Sequence, residues 1–203
     1  PGPPAPARGG CAGDVVVALD KDEPGSARSL LGVPVAGESA TFGYAPDAVD
    51  LALGVGMPTD GPVQGLSSRR ALTAKFEAAG YRFPTLVHPS AIIGADVRLD
   101  RGVQIMAGAV VQPGCVVGDF AIVNTRASID HDCVIGEGCH VGPGATLGGG
   151  VRVGADSLVG IGATVRQGVT IGARALIAGG AMVLGDMPDD SQGFGVPARG
   201  RMA

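Results

Sequence analysis

Between Val87 and Val183 an aliphatic side chain falls at every sixth position, beginning Val87, Ile93, Leu99, Ile105, Val111 and continuing without a gap for seventeen positions. Four residues after most of them stands a small or compact side chain, among them Ala91, Ala109, Cys115, Ala127, Cys133, Cys139 and Ala145. The residue after the aliphatic is often glycine, as at Gly94, Gly118, Gly136, Gly142 and Gly154. A helix spaces apolar residues three and four apart, and a half-buried strand alternates them, so neither explains a step of six. Six is the step of a hexapeptide β-helix, in which short strands wind into a solenoid. Three hexads close one triangular coil, so the run predicts between about five and six coils, a stack roughly 27 Å tall at the ~4.8 Å strand spacing. The aliphatic is expected to point inward, the small residue to sit near a corner, and the glycine to supply turn backbone values that other residues resist.

Outside this run the pattern changes. Residues 1–13 are Pro, Gly and Ala without an apolar period and read as disordered or loop-like. The run Asp14 to Asp20 reads as a buried strand, Leu31 to Val35 as a short edge strand, and Val49 to Gly56 as a second buried strand. Ser68 is placed as a helix N-cap, Leu72, Phe76 and Ala79 as one helical face, and Gly80 as the stop. Strands alternating with a helix argue for a small parallel α/β unit over 14–84. The solenoid then covers 85–186, and residues 187–203 form a C-terminal tail. A solenoid needs its end coils covered, which casts the tail as one cap and the α/β unit as the other.

Composition agrees with a narrow solenoid: 36 glycines and 3% aromatic residues leave a core of Val, Ile and Ala. Mean hydropathy is positive, yet no apolar run is long enough for a spanning helix, and no signal-peptide pattern is present. No membrane association is expected, and the cytoplasm is the expected compartment. A net charge of −4 does not advertise nucleic-acid binding. Four cysteines are too few for a disulfide scaffold at this length; Cys115, Cys133 and Cys139 fall in inward slots and read as small buried hydrophobes.

All three histidines lie in the solenoid. His88 stands beside Pro89 in an ordinary end position. His131 and His140 sit mid-solenoid, outside the inward slots, and should project at corners or on the outer surface. His131 lies within Asp130-His131-Asp132, where a carboxylate can fix the imidazole tautomer and stabilise its charged form. Gly149, one coil further at the same corner, offers a backbone N–H as an oxyanion donor. Arg166, Arg174 and Arg199 read first as solvated surface charges.

The stretch Asn124-Thr-Arg-Ala-Ser-Ile-Asp-His131-Asp-Cys-Val-Ile-Gly-Glu-Gly-Cys-His140-Val-Gly-Pro-Gly and the tail Gly195-Val-Pro-Ala-Arg199 resemble the hexapeptide-repeat sugar N- and O-acetyltransferases, over about residues 47–200. The branch is that of the bacillosamine-pathway, perosamine and sialic acid acetyltransferases. The resemblance implies a Rossmann-like α/β unit followed by a left-handed parallel β-helix, assembled as a homotrimer with sites between neighbours. It implies acetyl-CoA as co-substrate and a nucleotide-linked amino sugar as acceptor, with no metal. His131 matches the general base and Asp132 its acidic neighbour. His140 matches the histidine that contacts acetyl-CoA, and Ile161 and Gly179 match positions lining that cofactor. Asp20, Lys21 and Gly56 match the edge that holds the sugar nucleotide. Family members open with a strand entering a Gly-rich GxGGH-type turn; Arg8-Gly-Gly-Cys-Ala-Gly13 does not match it.

Two other chemistries use comparable pieces. O-acetylation of a sialic acid or related sugar is the alternative within acetyl transfer. A metal-dependent hydratase of the carbonic anhydrase type needs three protein ligands on zinc, and the spacing of His131 and His140 does not resemble that family's. A non-catalytic binding solenoid is the remaining option, and no threonine ladder supports an ice-binding face.

Overall fold

The computed structural model describes residues 15–20, 28–54, 62–197 and 199–202. Its dominant feature is a parallel β-solenoid of seventeen two-residue strands, β4 (Leu86–Val87) to β20 (Met182–Val183), one every six residues. They line up as three sheets, here called faces. The first face contains β10 (Ile122–Val123), β13 (His140–Val141) and β16 (Leu158–Val159); the second contains β11 (Ser128–Ile129) and β14 (Thr146–Leu147); the third contains β12 (Val134–Ile135). Each strand pairs in parallel with the strand one coil away, as Ser128 with Thr146 and His140 with Leu158.

The second residue of each strand is the periodic aliphatic, and it points inward. From Ile105 to Val183 these side chains are at most 3% exposed. Burying one such side chain contributes about 1.5–3 kcal/mol, so the step of six alone supplies a continuous core. Positive φ falls at the second residue of the corner turns from Asp96 to Gly180: Gly114, Asp132, Gly150 and Gly168 follow one another up a single corner. The glycine directly after the aliphatic answers a different need. A Cβ at Gly118 would lie 2.8 Å from the Glu137 nitrogen, and one at Gly136 would lie 2.7 Å from the Ala155 nitrogen. Those glycines admit the backbone of the next coil rather than supplying turn angles, contrary to the expectation from sequence.

The N-terminal unit has a three-stranded sheet, β1 (Ala18–Asp20), β3 (Val33–Gly37) and β2 (Arg28–Leu30), in that spatial order. The strand expected at an edge around Leu31–Val35 is therefore the central one, and the sheet is mixed rather than parallel as expected, because β2 and β3 are joined by a tight turn and pair antiparallel. Helix α1 (Pro62–Ala78) starts well before Ser68; proline suits a first turn because its missing N–H has no helical partner there. The strand expected over Val49–Gly56 is reduced to a bridge between Asp50 and Arg82, with residues 51–54 irregular and Gly56 outside the described residues.

This unit leans on the flank of the solenoid rather than covering its first coil. The Phe83 and Phe120 rings meet edge to face at 5.5 Å, Arg69 Nη2 donates to the Phe120 carbonyl at 3.0 Å, and Gln104 Nε2 donates to the Leu53 carbonyl at 2.8 Å. Phe120 holds a left-handed φ of 57°, which costs about 1–2 kcal/mol; burying its ring returns about 1.5–3 kcal/mol and tips the balance. The first coil stays partly open, with Val87, Ile93 and Leu99 only half-buried. At the other end β21 (Ser191–Phe194) adds to the first face beside β19 (Leu176–Ile177), and β22 (Arg199–Met202) returns antiparallel to β21.

Candidate active site

The corner between the second and third faces carries His131 and Asp132. Asp130, the residue after β11, accepts the His131 backbone N–H on Oδ1 at 2.8 Å and shapes the turn. Asp132 takes the left-handed position with φ 57°, which Asp tolerates better than most residues. There its Oδ2 meets His131 Nδ1 at 2.8 Å. With Nδ1–H donating to that carboxylate, Nε2 is left as the proton acceptor. The hydrogen bond to Asp132 first, then the charge of Asp130, hold the imidazole pKa above its ordinary value. The His131 side chain is 62% exposed, open to an incoming acceptor.

Two glycines clear space around this pair. A Cβ at Gly149 would lie 2.6 Å from His131 Nε2, so the imidazole rests over the bare backbone of the next coil. A Cβ at Gly114 would lie 2.5 Å from Asp132 Oδ1, so the coil below gives way to the carboxylate. The Gly149 N–H makes no hydrogen bond among the described residues, and it stands beside the imidazole as an available donor. Gly114 was not singled out from sequence; its signal is that it stands one coil before Asp132 at the same corner.

His140 takes the outward slot expected of it, beside inward Val141, but it is covered rather than open. It opens β13 on the first face, and α1 covers that face nearby, leaving the imidazole half-buried. Asn124 Nδ2 lies 2.9 Å from His140 Nε2, while Asn124 Oδ1 accepts the Thr125 N–H at 2.7 Å. The amide is thereby oriented, Nε2 accepts, and the proton resides on Nδ1. Burial, then the charge of Arg69, push the His140 pKa down to about 4. His140 is a neutral donor near neutral pH. Asn124 and Arg69 were missed as functional candidates: Arg69 reaches this face from a helix far away in sequence, which no local pattern marks.

Ile161 and Gly179 sit together at the corner between the first and second faces. Ile161 is 64% exposed, and a Cβ at Gly179 would lie 2.9 Å from its Cγ2. An isoleucine this open on an otherwise tightly packed solenoid is an unmet apolar surface. Asp20 ends β1 in the N-terminal unit, and Lys21 and Gly56 lie outside the described residues. Within one chain, then, the second face separates His131 from Ile161 and Gly179, and the N-terminal unit packs near the third corner at Phe120 and Asp156. The thiols of Cys133 and Cys139 are buried, and burial pushes each up to about 12, which leaves them inert as nucleophiles. Among the described residues no helix is long and apolar enough to cross a membrane.

A six-residue-repeat solenoid presenting an open, carboxylate-bound imidazole at a corner defines a hexapeptide-repeat transferase. The family model for bacterial transferase hexapeptide (six repeats) matches residues 114–149. The chain is 38% identical to a variant perosamine N-acetyltransferase from Caulobacter crescentus, solved with CoA and GDP-perosamine, over 86% of this chain and 80% of that one at a TM-score of 0.78. It is 35% identical to the acetyltransferase domain of PglB from Neisseria gonorrhoeae, solved with acetyl coenzyme A, over 90% of this chain and 84% of that one at a TM-score of 0.81. WeeI from Acinetobacter baumannii shares the fold at 22% identity and a TM-score of 0.81, over 90% and 84% of the two chains. No curated protein sequence matches. The chain belongs to the hexapeptide-repeat sugar acetyltransferase family.

Proposed function

We propose that the protein transfers the acetyl group of acetyl-CoA to the amino group of a nucleotide-linked amino sugar, with His131 as general base. The observation that carries this reading is the Asp132–His131 hydrogen bond, which leaves Nε2 as a free acceptor on an open corner. The related structures solved with CoA, acetyl-CoA and GDP-perosamine support the choice of donor and acceptor. In the proposed step the amine attacks the thioester carbonyl carbon while Nε2 takes its proton. The Gly149 N–H stabilises the tetrahedral oxyanion. The C–S bond then breaks, the imidazolium returns its proton to the leaving thiolate, and the amide is formed. No covalent enzyme intermediate is needed, consistent with inert, inward thiols.

His140 would donate through Nδ1–H to acetyl-CoA, Ile161 and Gly179 would flank its chain, and Asp20, Lys21 and Gly56 would hold the sugar nucleotide. His131 and the Ile161–Gly179 pair stand at opposite edges of the second face, so the reading requires neighbouring copies, as a homotrimer with each site completed across an interface. The test is acetyl-CoA consumption over a panel of UDP-, GDP- and dTDP-linked amino sugars and free sialic acid. Turnover on an amino sugar that disappears in His131→Ala supports the reading. Turnover on sialic acid alone replaces N-acetylation with O-acetylation, and full activity in His131→Ala removes the base.

A further inference from the structure

At the corners of the solenoid Phe120, Arg126, Asp132 and Asp156 hold a left-handed φ of 56–59°. Each leans back over the turn one coil before it, and a glycine stands under each. A Cβ would lie 2.5 Å from Phe120 Cδ1 at Gly102, 3.4 Å from Arg126 Cγ at Gly108, 2.5 Å from Asp132 Oδ1 at Gly114 and 2.5 Å from Asp156 Oδ1 at Gly138. Arg174 is the contrasting case. It is left-handed too, at φ 55°, but the residue one coil before it is Asp156, which has a side chain. Arg174 turns onward instead, and its Nε and Nη2 each donate to the Asp190 carboxylate at 2.6 Å. Bare backbone one coil below is thus what lets a left-handed side chain at these corners lie back.

For Asp132 this direction matters, because little else holds its side chain. That side chain is 73% exposed, and among the described residues its carboxylate has His131 Nδ1 as its one partner. Asp130 does not replace it, since its Oδ1 is turned to the His131 backbone N–H. We propose that Gly114 is a positioning residue that keeps the Asp132 carboxylate on His131 Nδ1 by leaving the space one coil below empty, a role that rests on His131 acting as the base. A side chain at 114 turns the carboxylate away, and an exposed carboxylate changes rotamer at little cost, so the loss registers in His131 rather than in folding. The remaining groups around the imidazole stay as they are. The coil after it, Gly148 to Val151, has no titratable side chain. On the coil before it the Cys115 thiol donates to the Asp130 carbonyl and is held from ionising by burial.

Gly114→Ala is tested against Gly168→Ala, which lies further up the same corner with φ 71° and nothing within 4 Å of an added Cβ. Both put alanine in a left-handed turn and should lower the unfolding temperature equally, because a Cβ resists that backbone. NMR titration of His131 without substrate is the direct readout. Its midpoint should fall in Gly114→Ala and stay at the wild-type value in Gly168→Ala. The acid limb of kcat/KM should follow it downward at unchanged KM for acetyl-CoA. The plateau should drop about tenfold, a fraction of the ~10²–10⁴ that a general base contributes. In an Asp132→Asn background Gly114→Ala should move neither midpoint, because it acts through that carboxylate. An unshifted His131 titration in Gly114→Ala, or equal shifts in the two alanine variants, overturns the proposal. A shifted titration with an unshifted acid limb supports Gly114 and overturns His131 as the base. Should alanine at 114 fail to fold, Gly114→Asn, a residue type enriched in the left-handed turn, gives the same readings against Gly168→Asn.

Discussion

The two mid-solenoid histidines are nine positions apart and chemically opposite. His131 stands on an open corner between two aspartates, which raise its pKa. His140 lies under a helix beside a buried arginine, and its pKa falls to about 4. Asp132 accepts the Nδ1–H of the first and leaves Nε2 free, while Asn124 donates to Nε2 of the second and keeps its proton on Nδ1. One side chain is thus left with a free proton acceptor at one place and held as a neutral donor at the other. Solvent access and the nearest charge decide which.

The largest expected effect sits at the corner. His131→Ala should cut turnover on the order of 10²–10⁴-fold, with the unfolding midpoint nearly unchanged because the side chain is exposed. A loss of activity matched by a loss of fold would break the contrast.

The seam should show the next largest effect, in stability. His140 is neutral in the folded chain down to about pH 4 but takes a proton near ~6.5 when unfolded. Its contribution is therefore complete above pH ~6.5 and is lost as the pH falls toward 4. Two to three pKa units correspond to roughly 3 kcal/mol. Urea unfolding at pH 7 and pH 4.5 should show wild type losing more stability than His140→Gln. Equal losses would mean that the imidazole is not shielded.

A smaller effect is expected from Gly149→Ala. The new methyl would press on His131 Nε2, and an exposed ring can swing aside. We expect roughly a tenfold fall in kcat/KM, about 1.4 kcal/mol of transition-state stabilisation, with stability within about 0.5 kcal/mol of wild type. Gly149→Ala with unchanged kinetics would show that the ring does not need its place over this glycine.

The solenoid and the corner were legible in the sequence for the same reason. Each solenoid strand is two residues long and spends one of them on the core, so the fold writes itself as a fixed step from Val87 to Val183. That step also dictates that Gly149 stacks on His131. The role of glycine was only half legible. Gly118 and Gly136 were expected to serve turns, yet they serve the close approach of the next coil, and only a three-dimensional stack distinguishes these. The N-terminal unit was less readable. Its short sheet is held by pairings between separate segments, so the order of β1, β3 and β2 is not written in a period, and residues 49–54 are apolar because Leu53, with Val49 and Leu51 beside it, packs with Phe76 and Phe83 rather than because they form a strand. Part of the lowering of the His140 pKa comes from the charge of Arg69, which is anchored on the Phe120 carbonyl from a helix distant in sequence and leaves no local mark.

The central claim is that Asp132 prepares His131 as the base, and the pH dependence of kcat/KM tests it most directly. Wild type should lose activity toward acid with a midpoint above the ordinary ~6.5 of histidine, and Asp132→Asn should move that midpoint downward while lowering the plateau. An acid limb that stays at the same pH in Asp132→Asn would contradict the account.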